Sequence, residues 1–569
     1  MTMEPNKIFL VLSITFILTL AGCEEKVLDK PPRDSFSDTD VWQDIKLATL
    51  FANSIYNGLN ENNTTDWSMF YNNFGFPGSD TDILFANWGG GGQAPINQGN
   101  ISPDYMAGYG RIWRRKYDYI RRCNIFLSHI DDLEAENEEE KMILKGEIKY
   151  LRAHLYFQLT RYFGGVPLIT KPFELDDDFK VNRDSYEDCV DFMVNELDEA
   201  RSLITRDRTS DEFGRANREA CLALKSNILL YANSKLHDPS TEPNGPLYDY
   251  TKKTWQEVAD AAKAVIDNPL YSLQQVTDYR EYARIFYEVT PEIIFAKANS
   301  PDYGTMCMEF YNGPPGQPFL GWGNNIPMQN FVDDFEMKNG MGIDEAGSGY
   351  NPTPDSIYVD RELRFYASVL FQGAEFGPRN MDYAAPNGLD FPANVPCQED
   401  GSRTGYNIRK FFDEYIDTQG SRRKSPQIYL RLANMYLNYA EAQYFLGNEA
   451  EARNYINIIR NRVLLPDITS SGEELFEDIQ HERKIELCME HHRFFDVRRW
   501  MIADQTGNID VMGIEWKRVD ESGNLDPNGK LEYVIFKVEE RKFFPSNYYL
   551  PIPRSEIDRS SLVQNEGYQ

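Results

Sequence analysis

The chain is poor in positive charge. Its 569 residues carry 59 Lys and Arg against 89 Asp and Glu, a formal net charge of −30. A surface of that sign repels phosphate backbones and argues against a nucleic-acid partner. Histidine is scarce, with six residues in all, and His491 and His492 are adjacent, so on a helix they diverge by about 100° and share a metal badly. None of the seven cysteines forms a C-x-x-C pair, which argues against a zinc knuckle or a thioredoxin-type site. There is no H-E-x-x-H, no G-x-S-x-G and no P-loop, and the glycine run 89–92 lacks the Lys-Ser/Thr of a phosphate cradle. No pair among the 89 acids is nominated as a glycosidase couple. The reading is therefore not an enzyme. What the chain does have is a 41% apolar share, ample for a core, and an aromatic share of 13%.

The N-terminal apolar run Ile8–Leu20 is too short to span a bilayer, which takes about 20 residues. Behind Lys7 it reads as the hydrophobic region of a secretory signal. Leu20-Ala21-Gly22-Cys23 at its end resembles a bacterial lipobox, which implies that Cys23 becomes an acylated N-terminus; cleavage near Ala21 with a free Cys23 is the alternative. Glu24-Glu25 resembles an acidic surface-export signal. The expected organisation is a signal peptide over 1–22, a polar tether over 23–40 and a single body over 41–569. Cys123, Cys189, Cys221 and Cys488 sit in helical patterns and read as buried apolar residues, while Cys307 and Cys397 lie in loops, where a disulfide is left open.

Hydrophobic periodicity predicts helices over 41–58, 110–131, 139–163, 185–204, 216–234, 254–267, 428–446 and 448–463. The last pair has the small-residue crossings of a tetratricopeptide repeat. The fold class expected is mainly α: about four helix pairs, at about 41–130, 139–204, 216–267 and 428–463, stacked as a scaffold. In 482–500, Glu482, Arg483, Glu486, Glu490, Arg493, Asp496 and Arg499 recur at helical spacing, which reads as one ion-paired helix docked on the stack. A Glu482–Glu486 catalytic pair is disfavoured, because Arg483 and Arg493 beside them would keep both carboxyls ionised. Two long loop regions, about 61–109 and 295–425, are dense in Gly, Pro, Asn and aromatics. Loops of that length are usually functional.

Several ordered blocks together resemble the SusD/RagB family of outer-membrane nutrient-binding lipoproteins. They are Gly146-Glu147 through Leu151-Arg152-Ala153 to Tyr162-Phe163-Gly164-Gly165-Val166-Pro167-Leu168, the helix pair 428–463, and the stretch 479–500 (IQHERKIELCMEHHRFFDVRRW). Tyr549-Leu550-Pro551-Ile552-Pro553 and Gln564-Asn565-Glu566-Gly567-Tyr568 complete the set. The resemblance implies a SusD-like fold and a lipid-anchored protein on the outer face of the outer membrane. It further implies capture of oligo- or polysaccharide, or of peptide as in RagB-like members, and delivery to a SusC-like TonB-dependent transporter that the protein covers as a lid. A surface glycoside hydrolase is a further alternative.

Sugars stack their C–H faces on aromatic rings and need amide and carboxylate partners for their hydroxyls. Two loop clusters offer both. One holds Trp67, Tyr71, Asp80, Asp82, Asn87 and Trp88; the other holds Tyr303, Tyr311, Phe319, Trp322, Asn324 and Asn325. Trp88 and Trp322 are the expected stacking platforms, with Asp82, Asn87 and Asn324 as hydrogen-bond partners and Tyr311, Trp67 and Tyr71 beside them. Core packing of each aromatic remains an equal alternative. Trp42, Trp113, Trp255, Trp500 and Trp516 adjoin regular elements and read as core. No cofactor motif is present, and a structural calcium near Asp333 and Asp334 has no EF-hand spacing behind it.

Overall fold

The computed structural model describes residues 41–59, 81–87, 96–106, 109–174, 176–297, 311–414 and 426–568. Cys23, the signal segment and the tether lie outside the described residues, as do Trp67, Tyr71, Asp80, Trp88, Tyr303 and Cys307.

The fold is mainly helical. Helices α1 (Ile45–Ile55), α2 (Gly110–His129), α3 (Glu138–Phe163), α4 (Tyr186–Leu203), α5 (Arg218–Ala232) and α6 (Trp255–Ile266) pack one on the next in chain order. Helix α7 (Leu432–Phe445) closes against α6, and α8 (Glu449–Arg462) and α9 (Glu473–Glu486) follow on it. The local chemistry explains the boundaries. Asn137, Ser185 and Asn217 each accept a backbone N–H of the first turn of α3, α4 and α5. Gly164 ends α3 at φ 76°, a conformation open to glycine. The shared core of these helices includes Ile148, Leu155, Leu197, Leu230, Ala440 and Ile456. Cys123, Cys189, Cys221 and Cys488 are buried thiols within the fold, and burial pushes the Cys123 thiol up to about 12. Cys397 is exposed.

Two expectations need correction. Residues Gln427–Arg431 are not the start of the 428–446 helix but a strand, β4, paired antiparallel with β2 (Ile293–Lys297). The run QIYLR suits an extended edge, and the Arg431 side chain is drawn into a cluster of acids instead of lining a helix. Nor is 482–500 one helix. It breaks after α9 and resumes as α10 (Arg493–Arg499), with Met489 and His491 at φ 64° and 65° in the turn between. The charges of this block are also buried, not spread on a wet face. Docking to the scaffold does occur: Arg483 and Arg499 bracket Asp496, and Arg499 and the Trp500 indole N–H donate to Glu441 of α7.

A second core lies outside the helical stack, built from Phe331, Phe335, Tyr358, Phe365, Tyr406 and Trp516. Trp516 belongs to β5 (Asp510–Val519), which pairs antiparallel with β6 (Lys530–Glu540). Between the two cores runs a buried ion-pair network. Arg431 bonds Glu490 at 2.6 Å, Glu486 at 2.7 Å and Glu292 at 2.8 Å. Arg462 also pairs with Glu292 and Glu486, and Arg364 with Glu362, Glu482 and Glu486. Removing such groups from water is costly, so each must keep its partners.

Candidate functional site

Strands β1 (Leu84–Ala86) and β3 (Asn325–Pro327) join the two loop regions that the sequence singled out. They pair antiparallel, Phe85 facing Ile326, and both are fully buried. The ladder runs one step further, where the Asn87 N–H donates to the Asn324 carbonyl at 2.6 Å. Residues more than two hundred apart in sequence thereby meet.

Upstream of β3 the chain forms a tight loop. The Asn324 N–H donates to the Tyr311 carbonyl, that of Gly323 to Gly313 and that of Gly321 to Pro314, each at 3.0 Å. The loop brings the Trp322 ring against Tyr311, with centroids 5.5 Å apart and planes at 76°, an edge-to-face contact. Tyr311 is buried and Trp322 half-buried, so the tryptophan rests on a fixed ring and keeps part of its own surface in water. Both glycines flanking it are there for close approach. A Cβ on Gly321 would lie 2.4 Å from the Gly313 carbonyl oxygen, and one on Gly323 would lie 2.7 Å from that of Asp400.

The polar residues expected to serve the ligand are placed differently. Asp82 is buried, and its carboxylate takes two bonds from Arg493, at 2.8 and 2.6 Å, and one from Lys484 at 2.8 Å. Burial alone would raise its carboxyl; the two cations outweigh that and hold it far below the usual carboxylate range. Asn87 is buried too. Its Nδ2 faces the carbonyls of Glu399, Asp400 and Gly401 at 3.4, 3.3 and 2.9 Å, and its Oδ1 accepts the Arg403 N–H at 3.2 Å. Asn324 is 4% exposed, and the Asn325 amide bonds Asn312. All three expected hydrogen-bond partners, Asp82, Asn87 and Asn324, are thus buried, and the partners of Asp82 and Asn87 are protein groups. Phe319 is core, its ring tilted at 57° to that of Phe376 with centroids 4.9 Å apart, under the Arg379 guanidinium. Trp113, Trp500 and Trp516 are buried, and Trp42 and Trp255 pack on the helical core.

Burial raises two carboxyls among the described residues, Asp333 to about 6 and Glu362 to about 7. Glu486 would be raised by burial, but Arg462, Arg431 and Arg364 hold it well below its ordinary value. Those arginines come from distant segments and not, as the sequence suggested, from Arg483 and Arg493. Burial raises the Glu362 carboxyl to about 7, yet it is 1% exposed and bonded by Arg364, beyond the reach of a glycosidic oxygen. Asp334 pairs with Lys484, and Asp333 accepts from Gln329; no group of three or more metal-ligating side chains is found among the described residues. A separate open cleft between α3, α5, β4 and the turn at 490–492 is lined by His154, Phe157, Arg161, Tyr231, Tyr429 and His492, with burial lowering His154 and His492 to about 3. None of the platform residues lines it.

Nothing in the local sequence marks Asn87 as a clamp or Arg431 as the centre of an acid cluster. Their partners lie in other segments, and pairing across such distances leaves no periodic trace.

The fold and the loop platform define a class that comparison with known proteins makes plain. A sequence profile described as the SusD family matches residues 291–568, and one described as starch-binding associating with outer membrane matches residues 92–230. The chain belongs to the SusD/RagB family. It is 24% identical over 602 residues to a SusD-like protein of Formosa agariphila, spanning 98% of this chain and 99% of that one. A solved SusD-like protein from Bacteroides fragilis superposes with a TM-score of 0.79 at 29% identity, covering 95% of this chain and all of that one. Surface glycan-binding protein A from Bacteroides thetaiotaomicron, solved in complex with laminarihexaose, has the same fold at 18% identity, with a TM-score of 0.65 over 91% of this chain and 99% of that one. No described helix is long and apolar enough to cross a membrane.

Proposed function

We propose that this chain is a non-catalytic, surface-exposed lipoprotein that captures a glycan and passes it to a SusC-like TonB-dependent transporter, over which it sits as a lid. The observation that carries the ligand half is Trp322: half-buried, seated edge-to-face on Tyr311, and held between two glycines pressed against backbone. An indole held in place with part of its surface in water suits the stacking of a pyranose ring at little entropic cost. Trp88, the residue after Asn87 at the end of the β1–β3 ladder, is the second proposed platform, with Trp67 and Tyr71 in the same loop region. Family membership and the laminarihexaose complex of a fold relative support glycan over peptide as the ligand class. Acylation at Cys23 would supply the membrane anchor, at about 0.8 kcal/mol for each buried methylene.

The test is affinity electrophoresis of the purified protein in gels containing starch or laminarin, beside a peptide-digest binding assay. Retardation by a polysaccharide, weakened at least tenfold by Trp322→Ala, is the expected result. Binding of peptides alone would favour the RagB-like alternative, and release of reducing ends would make the protein a hydrolase. Affinity purification from outer membranes should bring down a β-barrel transporter; recovery without one would refute the lid role.

A further inference from the structure

Asn87 was expected to touch ligand, yet its side chain points to backbone. Two chain segments converge on it. Its N–H holds Asn324, its Nδ2 gathers the carbonyls of 399–401, and its Oδ1 takes the N–H of Arg403. An asparagine amide can donate twice and accept twice, and here donors and acceptors are matched to the backbone around them. The gathered turn is not remote from the platform. The Asp400 carbonyl is the atom that a Cβ on Gly323 would strike, so the turn at 398–401 bears directly on the residue after Trp322. On its other side Trp322 is bounded by Gly321, whose backbone abuts Gly313. Asn87 thus grips the turn that abuts Gly323, and through Asn324 it also grips the loop that carries Trp322.

We propose that Asn87 is a positioning residue: it fixes the Trp322 indole on Tyr311 by tying the turn at 398–403 to the end of β1, and it does so without touching the ligand. The proposal rests on the platform reading given above. Asparagine is specific to this task. An aspartate of the same shape would turn a carboxylate oxygen towards three carbonyl oxygens, and the turn would move away.

The experiment uses the intact chain labelled with 5-fluorotryptophan, the Trp322 resonance being assigned by Trp322→Phe. In Asn87→Asp the Trp322 signal should shift or broaden, while those of Trp113, Trp255 and Trp516 stay in place. Affinity for laminarihexaose, measured at a temperature where both proteins are folded, should fall at least tenfold. Asn87→Ser removes the amide without adding charge and serves if the aspartate variant does not fold. Asp82→Asn is the control: it loosens the same loop from Arg493 and Lys484 but leaves the 399–401 carbonyls held, and the Trp322 signal should not move. An unchanged Trp322 resonance together with unchanged affinity in a folded Asn87 variant would overturn the proposal. Native-like binding in Trp322→Ala would instead overturn the platform reading, and the fluorine measurement, which needs no ligand, would still decide the role of Asn87.

Discussion

Replacing Arg431 by methionine tests the network that joins the two cores. The guanidinium is 1% exposed and serves Glu292, Glu486 and Glu490 at once. Its loss leaves Glu490 with Lys410, Glu292 with Arg462, and Glu486 with Arg462 and Arg364. Breaking a buried pair costs about 3–5 kcal/mol, since the partner charge stays in the interior. The pH dependence gives a second figure. Burial would raise the Glu490 carboxyl, but Arg431 and Lys410 outweigh it and hold it at about 2 instead of 4.5, worth ~3 kcal/mol. A lowered folded-state pKa contributes stability that is complete above the unfolded value and is lost as pH falls towards the folded one. The native protein therefore loses this contribution on acidification from about pH 5 towards pH 2. The variant, with Glu490 less depressed, has less to lose, so the gap between the two must narrow. Urea denaturation followed by far-UV circular dichroism at pH 7 and again near pH 4 reads it directly. A gap under about 1 kcal/mol at pH 7, or one that widens at the lower pH, would refute the reasoning. Lys145→Met supplies the contrast, because its partner Asp131 is 62% exposed and such pairs contribute about 0–1 kcal/mol.

Asp82→Asn should cost about 3 kcal/mol through the stranded Arg493, Lys484 keeping Asp334, while the folded variant binds glycan with native affinity; a large affinity loss would make Asp82 a ligand contact. Trp516→Ala empties the centre of the second core and should cost about 3–5 kcal/mol by the same denaturation assay, and a cost below about 1 kcal/mol would mean that the hairpin is not integral to that core.

The helical scaffold was legible because α3 to α6 and α8 carry apolar residues at helical spacing between recognisable caps such as Asn137 and Ser185. The hairpin of β5 and β6 also had a signal, two runs rich in β-branched and aromatic residues flanking DESGNLDPNG, which the helical reading passed over. The strand 427–431 was hidden because it runs without a break into α7. The ion-pair network was beyond reach, since Arg462 and Glu292 lie 170 residues apart and Arg431 and Glu292 139 apart. At the site, the sequence marked the Tyr311–Trp322 cluster and the structure joins it. It could not show that Asp82 and Asn87 face inward, because a buried amide and a ligand-facing amide look alike in a loop.

Hydrogen exchange with and without a bound glycan tests the central claim most directly. With laminarihexaose or maltoheptaose at saturation, the account predicts slowed exchange in peptides covering 84–87 and 311–327, and the loss of that protection in Trp322→Ala. Protection confined to the cleft lined by His154 and Tyr429, or none with any glycan while peptides protect the same loops, would contradict it.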